Sequence, residues 1–492
     1  MLDERGISTI VEEVLRTLRA RGLRGSASIP VTSSGAAPRE RSSAAGIPSS
    51  GGSGAFASVD AAAAAAAKAQ TELVEVSLET RRKIVERMRA VASEHAAELA
   101  RAALEETGLG RYEDKVAKNL LAATRTPGVE DLEPDAVSGD HGLTIVERAP
   151  YGLIGSITPS TNPSETVINN SIGMVAGGNS VVFNPHPSAK LTTLRTIELL
   201  NSAIQAEGGP PNVLASMERP DIESAQRLMR HPAVRLLVVT GGGAVVREAM
   251  KSGKKVIAAG PGNPPVVVDE TADLEAAGRD IVSGASLDNN IVCICEKEVL
   301  AVAATVDRLK RAMAGCGAVE IGGADLEKLE RLVIQESRGP GKHAVTRRDW
   351  VGKDASRLLA AIGVKSEPDA KLVICETPAS HSFVWTELLM PVLPIVRVAD
   401  VDQGIELAKQ VEQGFGHSAM MHSTNINKLS HMARFIGTTI FVKNGPCYAG
   451  LGFGGEGFTS FTIASPTGEG LTSARTFTRM RRCVLVDHFR IV

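Results

Sequence analysis

The chain has 492 residues, too long for one ordinary hydrophobic core, which predicts two or three domains. Its apolar content of 43% and charged content of 22% are typical of a globular protein, and a net charge of about −2 gives no reason to expect nucleic acid or an anionic membrane as a partner. No secretory signal or long apolar run is visible, and the six cysteines are scattered, so we expect reduced thiols in the cytoplasm.

An amphipathic helix is predicted near the start of the chain. Apolar residues recur at three- and four-residue spacing within residues 7–18, which indicates one apolar stripe on a helix. Residues 24–58 are rich in Ser, Gly, Ala and Pro and predict a flexible tether. A helix that packs on its own domain rarely needs about 35 residues of slack, so docking onto a partner is favoured over packing on the body of the chain.

The body of the chain begins near Asp60 with predicted helices that are interrupted near Ser77, a residue suited to an N-cap. From about residue 145, short β-branched runs alternate with helical stretches. "GLIGSITPS", "SVVFNPHPSA" and "VRLLVVTGGG" predict strands, and "ETVINNSIGMVAGG" and "LTTLRTIELLNSAIQAEG" predict helices. This alternation predicts an α/β fold, with a parallel sheet covered by helices on both faces.

Two strand-end loops are candidates for a ligand site. "VVTGGGAVV" (residues 238–246) leads from an apolar strand into a helix, where backbone N–H groups favour phosphate and glycines let it approach. An ordinary strand–helix turn explains this stretch equally well. "VVFNPHPSA" (residues 181–189) is a second such loop at the same sheet edge, and ligands of open α/β sheets lie there, which favours a site.

Cys293 and Cys295 in "LDNNIVCICEKE" raise the question of a metal pair, a redox pair or a single nucleophile. No second cysteine pair and no histidine pair completes a zinc site, so we predict no metal, and the spacing is not that of C-x-x-C. The polar residues before Cys293 suit a loop that enters a site. From the residues alone, one nucleophile and two buried cysteines remain equally good interpretations.

Several motifs together carry a family resemblance. "TPSTNPSETVINNSIGMVAGGNSVVFNPHPSA", "NNIVCICEKEV", "ELLMPVLPIV" and "EQGFGHSAMMHS" resemble the aldehyde dehydrogenase superfamily, and specifically its coenzyme A-acylating branch. The segment that starts at "GLGFGGEGFTSF" resembles the propionaldehyde and acetaldehyde dehydrogenases of bacterial microcompartments. The likeness covers roughly residues 60–492. The tethered helix resembles the encapsulation peptides of microcompartment cargo, which implies a shell protein or another cargo enzyme as partner for residues 7–18.

The resemblance implies a set of catalytic residues. Cys293 corresponds to the nucleophile, and Cys295 to a position of packing. Asn162 corresponds to the side chain that donates to the oxyanion, with the Cys293 backbone N–H as second donor. Glu387 corresponds to the contact with the nicotinamide ribose of NAD. His417 in "GFGHSA" is interpreted either as a base for an incoming thiol or as a structural histidine.

The resemblance also implies cofactor-binding residues at the strand ends. These are Thr158, Pro159, Asn184, Pro185, His186, Thr240, Gly241, Gly242 and Glu387. The loop at residues 184–186 departs from hydrolytic members of the family, which normally carry lysine there.

One departure from the hydrolytic branch bears on the acceptor. Hydrolytic members carry a glutamate that activates water, and Ala259 or Gly260 falls at that position in "AAGPGNPP" (residues 258–265). Without a positioned base, attack of water on a thioester loses roughly 10²–10⁴-fold. A thiol needs less help because part of it is ionised at neutral pH, so coenzyme A is the predicted acceptor.

The resemblance implies an aldehyde dehydrogenase fold with a Rossmann-type cofactor domain, an α/β catalytic domain and a small β extension for oligomerisation. The expected boundaries are these: 1–23 docking helix, 24–59 linker, 60–262 with a return segment at 441–464 for binding NAD and coenzyme A, 263–440 catalytic domain, and 130–148 with 465–492 for the β extension. The extension implies a homodimer or homotetramer, and the encapsulation helix implies the lumen of a bacterial microcompartment.

The predicted reaction converts propionaldehyde or acetaldehyde, NAD⁺ and coenzyme A into the acyl-CoA and NADH through a thioester on Cys293, in a ping-pong cycle of propanediol-type metabolism. Two rivals are a hydrolytic or acyl-phosphate-forming dehydrogenase, and an inactive scaffold of the same fold. Retention of Cys293, Asn162 and Glu387 together argues against the scaffold. No nucleic acid and no membrane is expected as partner.

Overall fold

The computed structural model describes residues 54–491, and this part of the chain alternates strands and helices along most of its length. The helices are α1 (Val59–Leu73), α2 (Leu78–Glu94), α3 (Ala96–Thr107), α4 (Tyr112–Arg125), α5 (Pro163–Ala176), α6 (Lys190–Ala206), α7 (Ile222–Arg230), α8 (Gly243–Met250), α9 (Leu274–Ser286), α10 (Val306–Gly315), α11 (Gly323–Val333), α12 (Ala355–Ala361), α13 (Val401–Val411) and α14 (Ile426–Ile436). The predicted docking helix at residues 7–18 lies outside the described residues.

The strands are β1 (Ala55–Phe56), β2 (Asp135–Gly139), β3 (Gly142–Pro150), β4 (Leu153–Thr158), β5 (Ser180–Pro185), β6 (Leu214–Met217), β7 (Leu236–Thr240), β8 (Lys255–Ala259), β9 (Pro265–Val268), β10 (Glu298–Val302), β11 (Ala318–Ile321), β12 (Ile334–Glu336), β13 (Val345–Thr346), β14 (Leu372–Glu376), β15 (Val392–Val398), β16 (Ser418–His422), β17 (Ile440–Lys443), β18 (Ile463–Ala464), β19 (Gly470–Leu471) and β20 (Thr478–Val486). None of the helices within residues 54–491 is long and apolar enough to cross a membrane.

The amino-terminal helices begin where the side-chain chemistry predicts. Ser77 caps α2 by accepting a hydrogen bond from the backbone N–H of Thr80, which confirms the predicted interruption. Ser58 caps α1 in the same way, and β1 pairs in parallel with β6. The predicted linker boundary at residue 59 is therefore wrong, because the fold already includes residues 55–59.

The first sheet has the order β1-β6-β5-β4-β7-β8, and all of its strands are parallel. β4, β5 and β6 are buried along their whole length, as expected for strands with helices on both faces. The strands that follow β4 in the chain lie on both sides of it: β5 and β6 on one side, and β7 and β8 on the other. The crevice at the carboxyl ends of β4 and β7 is the topological switch point, where ligands of such sheets bind.

The second sheet has the order β11-β14-β15-β10-β9-β16-β17 and is also entirely parallel. Because β17 belongs to it, residues 441–443 of the predicted return segment pack with this sheet and not with the first. The largest buried apolar cluster contains Val181 and Val238 from the first sheet and Val266 and Val299 from the second. The two sheets therefore share one core, and the other domain boundaries stay a prediction.

A small antiparallel sheet is built from distant parts of the chain, in the order β2-β3-β20. Its strands carry exposed apolar side chains, among them Val137, Met480, Val484 and Val486. Exposed apolar residues grouped on one sheet are typical of a surface that packs against another protein. The predicted role of this sheet in oligomerisation stays a prediction.

Candidate active site

Cys293 follows a buried turn in the left-handed conformation. Asp288, Asn289 and Asn290 have φ angles of 48°, 54° and 65°, and each is at most 1% exposed. Asn and Asp tolerate this region better than other residues with a Cβ, since their short polar side chains form local hydrogen bonds. Such backbone persists only where the surroundings hold it, and it is concentrated at functional sites. The DNN sequence is therefore suited to the turn in front of the predicted nucleophile.

Hydrogen bonds hold the two asparagines of this turn. Asn289 Nδ2 donates to the Gly352 carbonyl at 2.9 Å and to Asp354 Oδ1 at 2.9 Å. Asn290 Nδ2 donates to the Glu296 carbonyl at 3.0 Å. The turn is thus anchored on both sides of the backbone that carries Cys293.

The third residue of the turn, Asp288, is the centre of a buried charge cluster. Its Oδ2 lies 3.0 Å from Lys115 Nζ and 2.6 Å from Lys118 Nζ, both on α4. Its Oδ1 accepts from the Arg111 backbone N–H at 2.7 Å. Burial alone would raise the pKa of Asp288, but the two ammonium groups outweigh it and hold the pKa below its ordinary value. Asp288 is therefore a carboxylate, fully compensated by cations.

The Cys293 thiol is half-buried at the end of this turn. Its pKa is raised to about 12, chiefly by burial and then by the Glu387 carboxylate, while the Lys297 ammonium acts in the opposite direction. The thiol is accordingly protonated at neutral pH in the resting protein. Its proton must leave as the sulfur attacks, so a proton acceptor near Cys293 is required.

Gly262 lies between Cys293, the predicted nucleophile, and two titratable side chains, those of Glu387 and His417. A Cβ at Gly262 would lie 3.0 Å from His417 Cγ and 3.1 Å from the Cys293 carbonyl oxygen, so only glycine fits here without a shift. The Gly262 backbone N–H faces the Glu387 carboxylate and favours its charged form, although burial raises the pKa of Glu387 overall. Cys293, Glu387 and His417 therefore surround one glycine.

Ala259 and Gly260 bring no carboxylate to this centre. Ala259 is the last residue of β8 and is buried, and a Cβ at Gly260 would lie 3.0 Å from Pro466 Cγ. None of the side chains at residues 258–265 can therefore take a proton from water.

His417 is completely buried beside Cys293. Its Nδ1 lies 2.8 Å from Ser418 Oγ, and its Nε2 has no partner among the described residues. Burial and, to a smaller extent, the Lys297 ammonium together lower its pKa to about 4. The imidazole is therefore neutral at physiological pH, and its unpartnered Nε2 can accept a proton.

Replacement of His417 by glutamine tests whether this imidazole is the base for an incoming thiol. We expect acyl transfer from Cys293 to coenzyme A to slow most at about pH 6, and the deficit to shrink toward about pH 9, because a thiol ionises by itself above about pH 8.5. The measurement is the single-turnover rate of acyl-CoA formation against pH. Equal rates for the variant and the wild-type protein at every pH would assign His417 a structural role.

Asn162, the predicted oxyanion donor, follows β4 and is the N-cap residue of α5, but its side chain makes no capping hydrogen bond. Its Oδ1 instead accepts from Lys118 Nζ at 2.5 Å, and its Nδ2 makes only a long contact of 3.3 Å with Thr161 Oγ1. Asn162 is thus linked to Asp288, and so to the turn before Cys293, through one lysine.

Apart from Glu387, the predicted cofactor residues lie at the carboxyl ends of three adjacent strands of the first sheet. Thr158 ends β4, and its carbonyl accepts from the His186 backbone N–H at 3.0 Å, so Pro159 and residues 184–186 are neighbours. Asn184 Oδ1 accepts from Ser224 Oγ at 2.7 Å. The Thr158 hydroxyl is buried without a partner among residues 54–491, which leaves a polar group for a ligand.

On the other side of the switch point, Thr240 ends β7, and Gly242 is the N-cap residue of α8. A Cβ would meet nothing within 4 Å at Gly242 and only the Val245 Cβ at 3.8 Å at Gly241. Packing therefore does not require these glycines, while a ligand phosphate at a helix N-terminus does benefit from open backbone. The residues present fit the dinucleotide that the resemblance implied.

An apolar cavity of about 20 Å³ adjoins the nucleophile. Its wall is formed by Ala117, Lys118, Leu121, Leu287, Val292, Tyr448, Leu451, Phe453 and Phe461. The Tyr448 and Phe453 rings pack 5.3 Å apart, and the Tyr448 hydroxyl lies 2.8 Å from Ser283 Oγ. A larger, open groove of about 590 Å³ lies along β15 and α13 and contains none of the predicted site residues. The small cavity is lined by Val292, the residue before Cys293, which makes it a candidate for the substrate of Cys293.

Sequence reasoning missed the charged groups beneath the site, above all Lys118, Lys115 and Lys297. A signal was present: the two lysines of α4 share a buried face with Asn119 and Ala122, where the helical period calls for apolar residues. Lys297 Nζ donates to the Asn290 carbonyl at 2.9 Å and to Asn290 Oδ1 at 2.6 Å. Within residues 54–491, no group of three or more His, Cys, Asp and Glu side chains could hold a metal ion.

Comparison with known proteins defines the class. Residues 48–328, more than half of the chain, match the aldehyde dehydrogenase family. The chain therefore belongs to this family, and its parallel α/β architecture is the aldehyde dehydrogenase fold, which confirms the predicted fold class.

Individual relatives fall within the branch that the motifs resembled. The chain is 54% identical over 440 residues to the acetaldehyde dehydrogenase (acetylating) EutE of Salmonella typhimurium, an alignment that covers 89% of this chain and 94% of the relative. A solved structure of Rhodopseudomonas palustris propionaldehyde dehydrogenase with bound CoA and an acylated cysteine is 50% identical, has a TM-score of 0.86, and the match covers 88% and 98% of the two chains.

A third relative adds a cellular context. The propionaldehyde dehydrogenase from the Clostridium phytofermentans fucose utilisation bacterial microcompartment is 46% identical with a TM-score of 0.87, and the match covers 89% of this chain and all of the other. The predicted resemblance to CoA-acylating, microcompartment-type dehydrogenases is thereby confirmed.

Proposed function

We propose that this protein is an NAD-dependent, CoA-acylating aldehyde dehydrogenase that converts propionaldehyde or acetaldehyde into the corresponding acyl-CoA. The observation that carries the proposal is the site around Gly262, where Cys293 lies beside Glu387 and His417 while residues 258–265 offer water no base. The acetylating and CoA-bound relatives support the same acceptor.

The chemistry follows from the geometry. The Cys293 sulfur attacks the aldehyde carbon as its proton leaves to a base in the site, and Asn162 Nδ2 and the Cys293 backbone N–H hold the resulting oxyanion. NAD⁺, held by strand-end residues such as Thr158, Asn184 and Gly242, would accept the hydride from that carbon, which leaves the acyl group as a thioester on Cys293. The coenzyme A thiol then gives up its proton to a base, attacks the thioester carbonyl and expels the Cys293 sulfur, which takes up a proton and restores the free cysteine.

The apolar cavity supports a short aldehyde as substrate. Leu121, Leu287, Val292 and Phe453 offer apolar contact to a short alkyl chain. One methylene is worth only about 1–3 kcal/mol of discrimination, so both aldehydes are expected to be substrates.

The test is NADH formation by the wild-type protein from propionaldehyde and NAD⁺, with and without coenzyme A. We expect sustained turnover only when coenzyme A is present. Equal turnover without it would make water the acceptor and favour the hydrolytic alternative. Absence of turnover under both conditions would favour the inactive scaffold.

The partners and the location extend the proposal. We propose that the protein lies in the lumen of a bacterial microcompartment and that residues 7–18 dock on a shell or cargo protein. The microcompartment origin of the Clostridium phytofermentans relative supports this context. The protein is further proposed to be a homodimer or homotetramer that buries the exposed apolar residues of the β2-β3-β20 sheet against another subunit.

A further inference from the structure

We propose that Lys118 is a positioning residue, which orients the Asn162 amide toward the oxyanion and connects it to the turn that carries Cys293. The inference rests on the proposed function, because it concerns the tetrahedral oxyanion formed when Cys293 attacks a carbonyl. It assigns a catalytic consequence to a lysine that motif comparison left out.

The first step is the polarity of the contact between Lys118 and Asn162. Lys118 Nζ donates to Asn162 Oδ1 at 2.5 Å, and an ammonium group has donors only. The atom that faces it must be the carbonyl oxygen of the amide, since the flipped amide would place NH₂ against NH₃⁺. Asn162 Nδ2 therefore points away from Lys118, and its single contact, at 3.3 Å, leaves one N–H for a substrate oxygen.

The Lys118 ammonium is itself held in place by the groups around it. Its Nζ lies 2.6 Å from Asp288 Oδ2 and 2.9 Å from Glu165 Oε1, besides Asn162 Oδ1 at 2.5 Å. Asn162 Oδ1 accepts a hydrogen bond, and the carboxylates of Asp288 and Glu165 lie within ion-pair distance, Glu165 Oε1 without a hydrogen bond. Burial alone would lower the pKa of Lys118, but the carboxylates of Asp288 and Glu165 raise it above its ordinary value, so the group stays charged.

The third step is the location of the three acceptors. Asn162 follows β4 of the first sheet, and Asp288 lies in the left-handed turn before Cys293, next to the second sheet. One ammonium group thus joins the predicted oxyanion donor to the predicted nucleophile across the two halves of the site. Lys118 also lines the apolar cavity with Val292, the residue before Cys293.

A purely structural ion cluster is the competing interpretation, and it predicts different kinetics. If Lys118 only stabilised the fold or the turn, its loss would impair Cys293 in every reaction. If Lys118 acts through Asn162, its loss impairs only reactions that build an oxyanion. Alkylation of Cys293 by iodoacetamide forms no oxyanion, whereas acylation by p-nitrophenyl propionate does.

The experiment compares Lys118→Met, Asn162→Ala and the double variant, with Glu165→Gln as the matched control that keeps the bond between Lys118 and Asn162. Each is measured in single-turnover acylation of Cys293 by p-nitrophenyl propionate and in alkylation by iodoacetamide. Should Lys118→Met fail to fold, Lys118→Met with Glu165→Gln removes one cation and one anion together and leaves Asp288 paired with Lys115.

Lys118→Met is expected to slow acylation by roughly tenfold or more, to leave alkylation at the wild-type rate, and to add no further loss in the Asn162→Ala background. Glu165→Gln is expected to slow acylation less than Lys118→Met does, because Lys118 remains beside Asn162 and Asp288. An equal loss from Lys118→Met with and without Asn162, or a parallel loss of alkylation, would overturn the proposal. The ester assay needs neither NAD⁺ nor coenzyme A, so its outcome is independent of the acceptor that the proposed function assigns.

Discussion

Replacement of Cys293 by alanine is expected to abolish NADH formation from propionaldehyde, with a loss of roughly 10⁴–10⁶-fold in kcat. The reason is that no other thiol can reach the reacting carbon from the same turn: Cys295, two residues later, is completely buried in the apolar core. The measurement is NADH absorbance with NAD⁺ and coenzyme A in excess, together with mass spectrometry of the acylated protein.

Cys295→Ala is the matched control, because it removes a thiol from the same short segment. It is expected to retain turnover and a single acylation site, with some loss of thermal stability from the vacated volume. Turnover that survives in Cys293→Ala and disappears in Cys295→Ala would show that the nucleophile has been assigned to the wrong cysteine.

Asn162→Ala is expected to reduce kcat by roughly 10²–10³-fold and to change KM for the aldehyde little, because the lost hydrogen bond acts on charge that develops only in the transition state. The side chain makes no capping bond to α5, so the helix loses none when it is removed. Steady-state kinetics with propionaldehyde would separate the two parameters.

The control for Asn162 is the alkylation rate of Cys293 by iodoacetamide, which is expected to stay at the wild-type value. An unchanged kcat in Asn162→Ala would show that Asn162 does not hold the oxyanion. The Cys293 backbone N–H would then remain as the predicted donor. A rise in KM with unchanged kcat would instead indicate that Asn162 contributes to ground-state binding.

Local patterns were sufficient to predict much of the fold. Alternation of β-branched runs and helical stretches predicted the parallel sheets, and Ser77 was recognised as an N-cap from its residue type. These features depend on neighbours in sequence, so they are visible without coordinates. The linker boundary failed because β1 is only two residues long and exists through its pairing with β6, about 160 residues further on.

The same contrast between local motifs and distant contacts applies to the candidate site. Cys293, Glu387, His417 and Asn162 were identified from motifs, and the structure gathers the first three around Gly262, which sequence reasoning did not single out. A chemically distinctive residue in a family motif can be recognised individually from the sequence. Their mutual distances cannot be predicted in this way, since the residues come from segments that are far apart in the chain.

Residue order alone therefore indicated the class of fold, the strand-end loops and the candidate reactive side chains, because each of these depends on local periodicity or on a short motif. The protonation states and orientations came from tertiary packing. Lys118 reads in the sequence as an ordinary helical lysine, and it becomes a buried cation between Asn162 and Asp288 only when α4 packs against both. The pKa of Cys293 and the neutral state of His417 likewise follow from burial, which depends on the whole fold.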